Sequence, residues 1–146
     1  MRYKRLFAFF FVAVIVLLYI GLYIKNEMIA DSKCKNLTDY LTKFSLPISF
    51  MQTKENLIKI SKNLVNYLIN ENVIYAEIRF APYFHTEQGL KLEDVIDAIL
   101  EGLKSEYVKT NLILCMMRNL DFEKNLEIIN IATKYSSEEE MRDAIK

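Results

Sequence analysis

The sequence predicts an α/β protein with parallel strands, on three observations. A strictly alternating, β-branched run, VIYAEIRF at 73–80, leads into a helix with a clean apolar stripe. A second run, NLILCMM at 111–117, is apolar almost throughout, as suits a strand covered on both faces. Helical periodicity precedes, separates and follows the two runs. The order helix, strand, helix, strand, helix requires parallel pairing through right-handed crossovers.

At 146 residues and 17.2 kDa the chain has room for one modest domain. Lysine plus arginine balance aspartate plus glutamate at 19 each, which argues against a nucleic-acid footprint or an acidic partner. Cys34 sits in a polar stretch and Cys115 inside LILCMM, so neither a disulfide framework nor a zinc spacing is read from them. The single histidine, His85, excludes any multi-histidine metal site within this chain.

The first element is LFAFFFVAVIVLLYIGLYI at 6–24, free of charge and proline. As a helix it is about 28 Å long, enough to cross a hydrocarbon core. Arg2, Lys4 and Arg5 in front of it predict a single-pass membrane anchor with a cytoplasmic amino terminus. Residues 25–36 are expected to be a polar linker. From 37 to 44, Leu37, Tyr40, Leu41 and Phe44 recur at helical spacing and form one stripe, whose default meaning is packing. Pro47 breaks the pattern, predicting a turn or irregular crossing over 45–50.

Thr53 can cap the next helix, with Glu55 in its first turn and a face of Leu57, Ile60, Leu64, Val65 and Leu68. The strand 73–80 places Ile74, Ala76, Ile78 and Phe80 on one side. Val73, Tyr75, Glu77 and Arg79 take the other, so Glu77 and Arg79 share a face near the carboxyl end, where sites of α/β folds sit. The helix expected over 92–107 has Leu92, Val95, Ile96, Ile99, Leu100 and Leu103 as its apolar face. After the second strand come Arg118 and Asn119. A helix over 121–135 is expected to bury Phe122, Leu126, Ile129 and Ala132, and 136–146 reads as a short polar helical tail opening on its own capping boxes at Ser136 and Ser137.

Four pieces in order carry a family resemblance: DYLTKFSLPISFMQTKENL at 39–57, NVIYAEIRFAP at 72–82, HTEQGL at 85–90 and LILCMMR at 112–118. Over about 37–135 the chain resembles the adenosine and AMP deaminase family, nearest its adenosine deaminase branch. The resemblance implies part of a (β/α)8 TIM barrel of the metal-dependent hydrolase type, about two β/α units, behind the anchor. It implies hydrolytic deamination of a purine nucleoside, adenosine to inosine plus ammonia, with zinc activating a water and a glutamate moving protons.

The resemblance also implies limits. Where the family's first strand and its His-x-His pair are expected, this chain has the 6–24 segment, and after Tyr135 it has the polar tail. Zinc is therefore expected of the intact family, but no ligand set and no catalytic residue are assigned in this chain. His85 is expected to be a turn or surface residue, since HTEQGL is not a ligand position in the family. Leu37, Tyr40, Leu41 and Phe44 match positions that form an apolar lid over the purine, with Tyr40 standing where phenylalanine is common. Glu77 and Arg79 are expected to have structural roles at the barrel mouth, paired or hydrated. Lys91 stands where a threonine-like cap is frequent, forfeiting about 1 kcal/mol of capping.

Two functions are expected from this reading. In the first the chain is an adenosine deaminase-like polypeptide, truncated and inactive alone, which would bind a purine nucleoside when a complementing chain supplies the missing strands. In the second it is a membrane-anchored, non-catalytic interaction protein derived from the deaminase fold.

Overall fold

The computed structural model describes residues 20–29 and 34–144, with side chains to 136. The chain divides into two compact units, Met1–Ser49 and Phe50–Lys146. Most of the expected anchor at 6–24 lies outside the described residues. Among the described residues, no helix is long and apolar enough to cross a membrane.

In the first unit a helix, α1, covers 20–28, so the linker expected from 25 begins several residues later. Helix α2, Leu37–Thr42, is capped by Asn36, whose side chain accepts from the Asp39 N–H at 2.9 Å. Asp39 in turn accepts from the Lys35 N–H at 3.1 Å. The expected break at Pro47 is instead a short helix, α3, Ser45–Phe50. Proline in a first helical turn forfeits little, because the N–H groups there have no partner within the helix.

The second unit opens with α4, Lys54–Asn70, capped as expected by Thr53, which accepts from the Asn56 N–H at 3.3 Å. Asn72 ends it in the left-handed region, at φ 57°. Val73 N–H donates to Leu68 O at 2.9 Å and Asn72 N–H to Ile69 O at 3.0 Å, the paired bonds of a Schellman cap. Val73 is therefore spent on closing the helix, and strand β1 is Tyr75–Phe80 rather than starting at 73. A 3-10 turn, Pro82–His85, leads toward α5, Leu92–Leu103. That helix stops short of the expected 107 because the chain turns extended at Lys104 and the Ser105 hydroxyl accepts from the N–H groups of Tyr107 and Val108 at 3.1 and 3.2 Å.

Strand β2, Lys109–Leu114, lies parallel to β1 with Tyr75 opposite Lys109 and Phe80 opposite Leu114. The last helix, α6, runs Phe122–Ala144 without a break. The separate tail expected from 136 is absent as a distinct element: Ser136 donates back to Ala132 O at 2.9 Å and does not cap a new helix. Before α6, the Asn125 amide clamps the turn, accepting from Met117 N–H and donating to Met117 O, both at 3.1 Å.

All three long helices cover one face of the strand pair. Leu57 and Val65 of α4 pack with Val95, Ala98, Ile99 and Leu103 of α5 over Ile78, Phe80 and Leu112. On the other flank, Leu92 and Ile96 of α5 meet Ile128 and Ile131 of α6 over Phe80, Leu112 and Leu114. The α4–α5 crossing is close because Gly102 faces Ile58 and Ser61. The face expected for α6 is overturned: Phe122, Leu126 and Ile129 are 78%, 42% and 46% exposed, while Ile128 is 2% exposed. The helix carries two apolar stripes, and the sheet takes the one from Ile128 through Ile131 to Tyr135.

Candidate functional site

The face of the strand pair turned away from α4, α5 and α6 is where a site can form. By the parallel register, Tyr75, Glu77 and Arg79 share this face with Lys109, Asn111 and Ile113. Tyr75 links the strands: its hydroxyl donates to Glu77 Oε1 at 3.0 Å and accepts from Asn111 Nδ2 at 3.1 Å. The Glu77 carboxylate beside it raises the Tyr75 phenol above its ordinary value. Glu77 therefore takes its hydrogen bond from Tyr75, and no ion pair joins it to Arg79, which is exposed on the same face. Sequence reasoning singled out Glu77 and Arg79 but missed Tyr75 and Asn111 as partners. Laying NLIL beside EIRF in parallel register would have placed Asn111 opposite Glu77.

The carboxyl end of β1 is fixed from behind by the turn that follows it. Gln52, 3% exposed, donates to Phe84 O at 2.7 Å and accepts from Glu87 N–H at 3.1 Å. His85 is 5% exposed, its Nδ1 is 2.9 Å from Met51 O, and its ring stacks on Phe80 with centroids 5.3 Å apart. A surface position for His85 is thus corrected to a buried turn position, because a carbonyl 34 residues back supplies its polar partner. Burial lowers the imidazole below its ordinary value, against the raising effects of Met51 O and Glu87. On the other side of the turn the Tyr83 hydroxyl donates to Glu127, and Lys124 lies 5.9 Å over its ring. Burial first, then Glu127, pushes the Tyr83 phenol up to about 12.

The four residues of the expected lid lie on α2 and the turn after it, in the first unit. Leu37, Tyr40, Leu41 and Phe44 are all exposed, and Tyr40 and Phe44 meet edge to face at 5.3 Å. Lys91 does occupy the N-cap position of α5 with no side-chain cap bond. Charge from elsewhere secures that end: Lys54 Nζ lies 2.7 Å from Asp94 Oδ1 and holds the Asp94 carboxyl below the usual range.

Zinc does not fit these residues. Among the described residues, no three His, Cys, Asp or Glu side chains converge to hold a metal. His85, with Nδ1 against Met51 O and its ring packed on Phe80, is built into the turn rather than offered to an ion.

Comparison with known proteins matches residues 23–140 to the family model described as adenosine deaminase. The adenosine deaminase of Clostridium botulinum (strain Kyoto / Type A2) is 42% identical over 106 residues, covering 70% of this chain and 32% of its own length. Those of Clostridium kluyveri and Clostridium acetobutylicum are 38% identical over 115 and 116 residues, covering 76% and 77% of this chain and 33% and 35% of their own. The chain spans about a third of the length of these curated relatives.

Proposed function

The chain belongs to the adenosine deaminase family, and from that premise we propose that its helix-backed strand pair is part of a (β/α)8 barrel. Completed, that barrel would hydrolyse adenosine to inosine and ammonia. The observation that carries this reading is the two-faced strand pair. An apolar face packed under α4, α5 and α6 and a polar face holding Tyr75, Glu77, Arg79 and Asn111 are what a barrel wall needs, helices outside and polar groups toward the mouth.

Within that barrel the segment's own work is positioning. The Tyr75 hydroxyl fixes Glu77 and Asn111 across the two strands, and Arg79 stands at the mouth as a structural cation. Leu37, Tyr40, Leu41 and Phe44 are the residues proposed to cover a purine nucleoside and keep water from it. No deamination step is assigned to a residue of this segment, because its described residues do not build a zinc site. A complementing chain is the proposed partner.

We also propose that 6–24 anchors the chain in a membrane with the amino terminus cytoplasmic, on the strength of that segment's uninterrupted apolar sequence and the basic residues before it. Carbonate extraction tests it; release of the chain into the soluble fraction would count against the anchor.

The purified chain, supplied with zinc, is expected to hold no stoichiometric metal and to leave adenosine unconverted in an absorbance assay. Turnover above a protein-free blank would overturn that assignment.

A further inference from the structure

Among the described residues three polar side chains are buried, Gln52, Ser61 and His85. Ser61 donates to Leu57 O within its own helix, at 2.9 Å. Gln52 and His85 instead reach 32 and 34 positions along the chain, each into the other's segment. Gln52 lies in the connector 51–53 between α3 and α4, and both ends of its amide grip the turn after β1, Nε2 on Phe84 O and Oε1 on the Glu87 N–H. His85 lies in that turn and answers in the opposite direction. Its Nδ1 meets Met51 O, and because a carbonyl only accepts, that nitrogen carries the proton.

These three bonds stand or fall together. Parting the connector from the turn by about 1 Å takes all of them beyond hydrogen-bonding distance and leaves buried groups without those partners, so half-open positions are disfavoured. Each segment is also closed within itself. Asn56 Nδ2 donates to Phe50 O at 2.7 Å, and Thr86 Oγ1 to Tyr83 O at 2.9 Å. The front of the turn is tied elsewhere, by the Tyr83 hydroxyl to Glu127. The stretch able to move with the connector is therefore 84–89, which ends on Gly89 at φ 92°, a conformation suited to glycine.

We propose that Gln52 and His85 form a latch that makes 51–53 and 84–89 open and close as one unit. The existence of the latch stands on the bonds above; its use rests on the deaminase reading. On that reading the chain reaches 51–53 from the residues proposed to cover a purine nucleoside, and 84–89 follows the carboxyl end of β1, at the mouth. Releasing the cover for nucleoside entry loosens the mouth in the same step, and closing the one orders the other.

The test is amide hydrogen exchange, read by mass spectrometry on the full-length chain in mild detergent. In the unaltered chain, peptides covering 51–57 and 84–90 should share one opening equilibrium, reached more readily than the opening of α5. His85→Leu removes no bond of the Glu87 N–H, yet should speed its exchange about tenfold, as Gln52→Leu does. The exchange of α5 should not change, and the double variant should be no faster than either single one. His85→Asn, which keeps a donor near the Nδ1 position, should return the rate toward that of the unaltered chain. The proposal is overturned if the two peptides open independently, if His85→Leu leaves Glu87 exchange unchanged, or if the two substitutions add. Faster exchange throughout α5 also overturns it, since that is loosening of the whole unit. If a variant fails to fold, the shared opening in the unaltered chain still decides. Exchange is read without turnover, so failure of the latch and failure of the deaminase reading are separate results.

Discussion

Replacing Gly102 by alanine should destabilise the second unit by separating α4 from α5. A Cβ at this position would lie 2.5 Å from Ser61 Cβ and 2.6 Å from Ile58 O. Ordinary contact is at about 3.5–4.0 Å, so the helices must part by on the order of 1 Å. The Ile58 carbonyl belongs to the backbone of α4 and cannot swing aside as a side chain could. Overpacking of this kind costs about 1–3 kcal/mol, and a backbone obstacle puts Gly102 toward the upper end. Alanine returns about 1 kcal/mol through its better helix propensity. The net loss is therefore about 1–2 kcal/mol, read as a lower urea midpoint at unchanged slope in circular dichroism. Gly21→Ala, whose Cβ would meet nothing within 4 Å, serves as the control and should not lower that midpoint. An unchanged or raised midpoint for Gly102→Ala would refute the claim that glycine sets the α4–α5 spacing.

Lys91→Thr should stabilise the same unit by about 1 kcal/mol, because the position already has N-cap geometry and lacks only a side-chain acceptor; an unmoved urea midpoint would contradict this. His85 should make stability depend on pH. Its folded pKa is lowered from 6.5, so as the pH falls the unfolded chain takes up the proton first. The stabilisation is full above about pH 6.5 and declines from there as the pH falls through the lowered folded value. Comparing urea midpoints at about pH 7.5 and about pH 5 should show a smaller drop for His85→Gln than for the unaltered chain, and equal drops would remove His85 as the source.

Periodicity located the helices and strands well and located their partners poorly. The stripe on α5 reads directly as its buried face because one stripe is all that helix has. On α6 two apolar stripes coexist, and contact with Leu92 and Ile96 selects Ile128 and Ile131 over Phe122, Leu126 and Ile129. His85 and Gln52 look like surface polar residues because their partners, Met51 O, Phe84 O and Glu87 N–H, are backbone groups that come near only when the turn folds back. Gly102 gave no signal of its own, since a close helix crossing leaves no periodic trace. Of the candidate site, Glu77 and Arg79 were legible from strand alternation, whereas Tyr75 and Asn111 become partners only through the register of β1 on β2. Lys91 was legible from the family pattern, and its missing cap is visible in the fold.

We propose that residues 37–135 supply a working wall of a deaminase barrel whose catalytic centre they do not build by themselves. The most direct measurement is adenosine turnover by a chimera in which residues 37–135 replace the matching segment of the Clostridium botulinum adenosine deaminase. The account predicts that the folded chimera converts adenosine to inosine while the chain alone does not. A folded, zinc-loaded chimera without activity, or turnover by the chain alone, would contradict it.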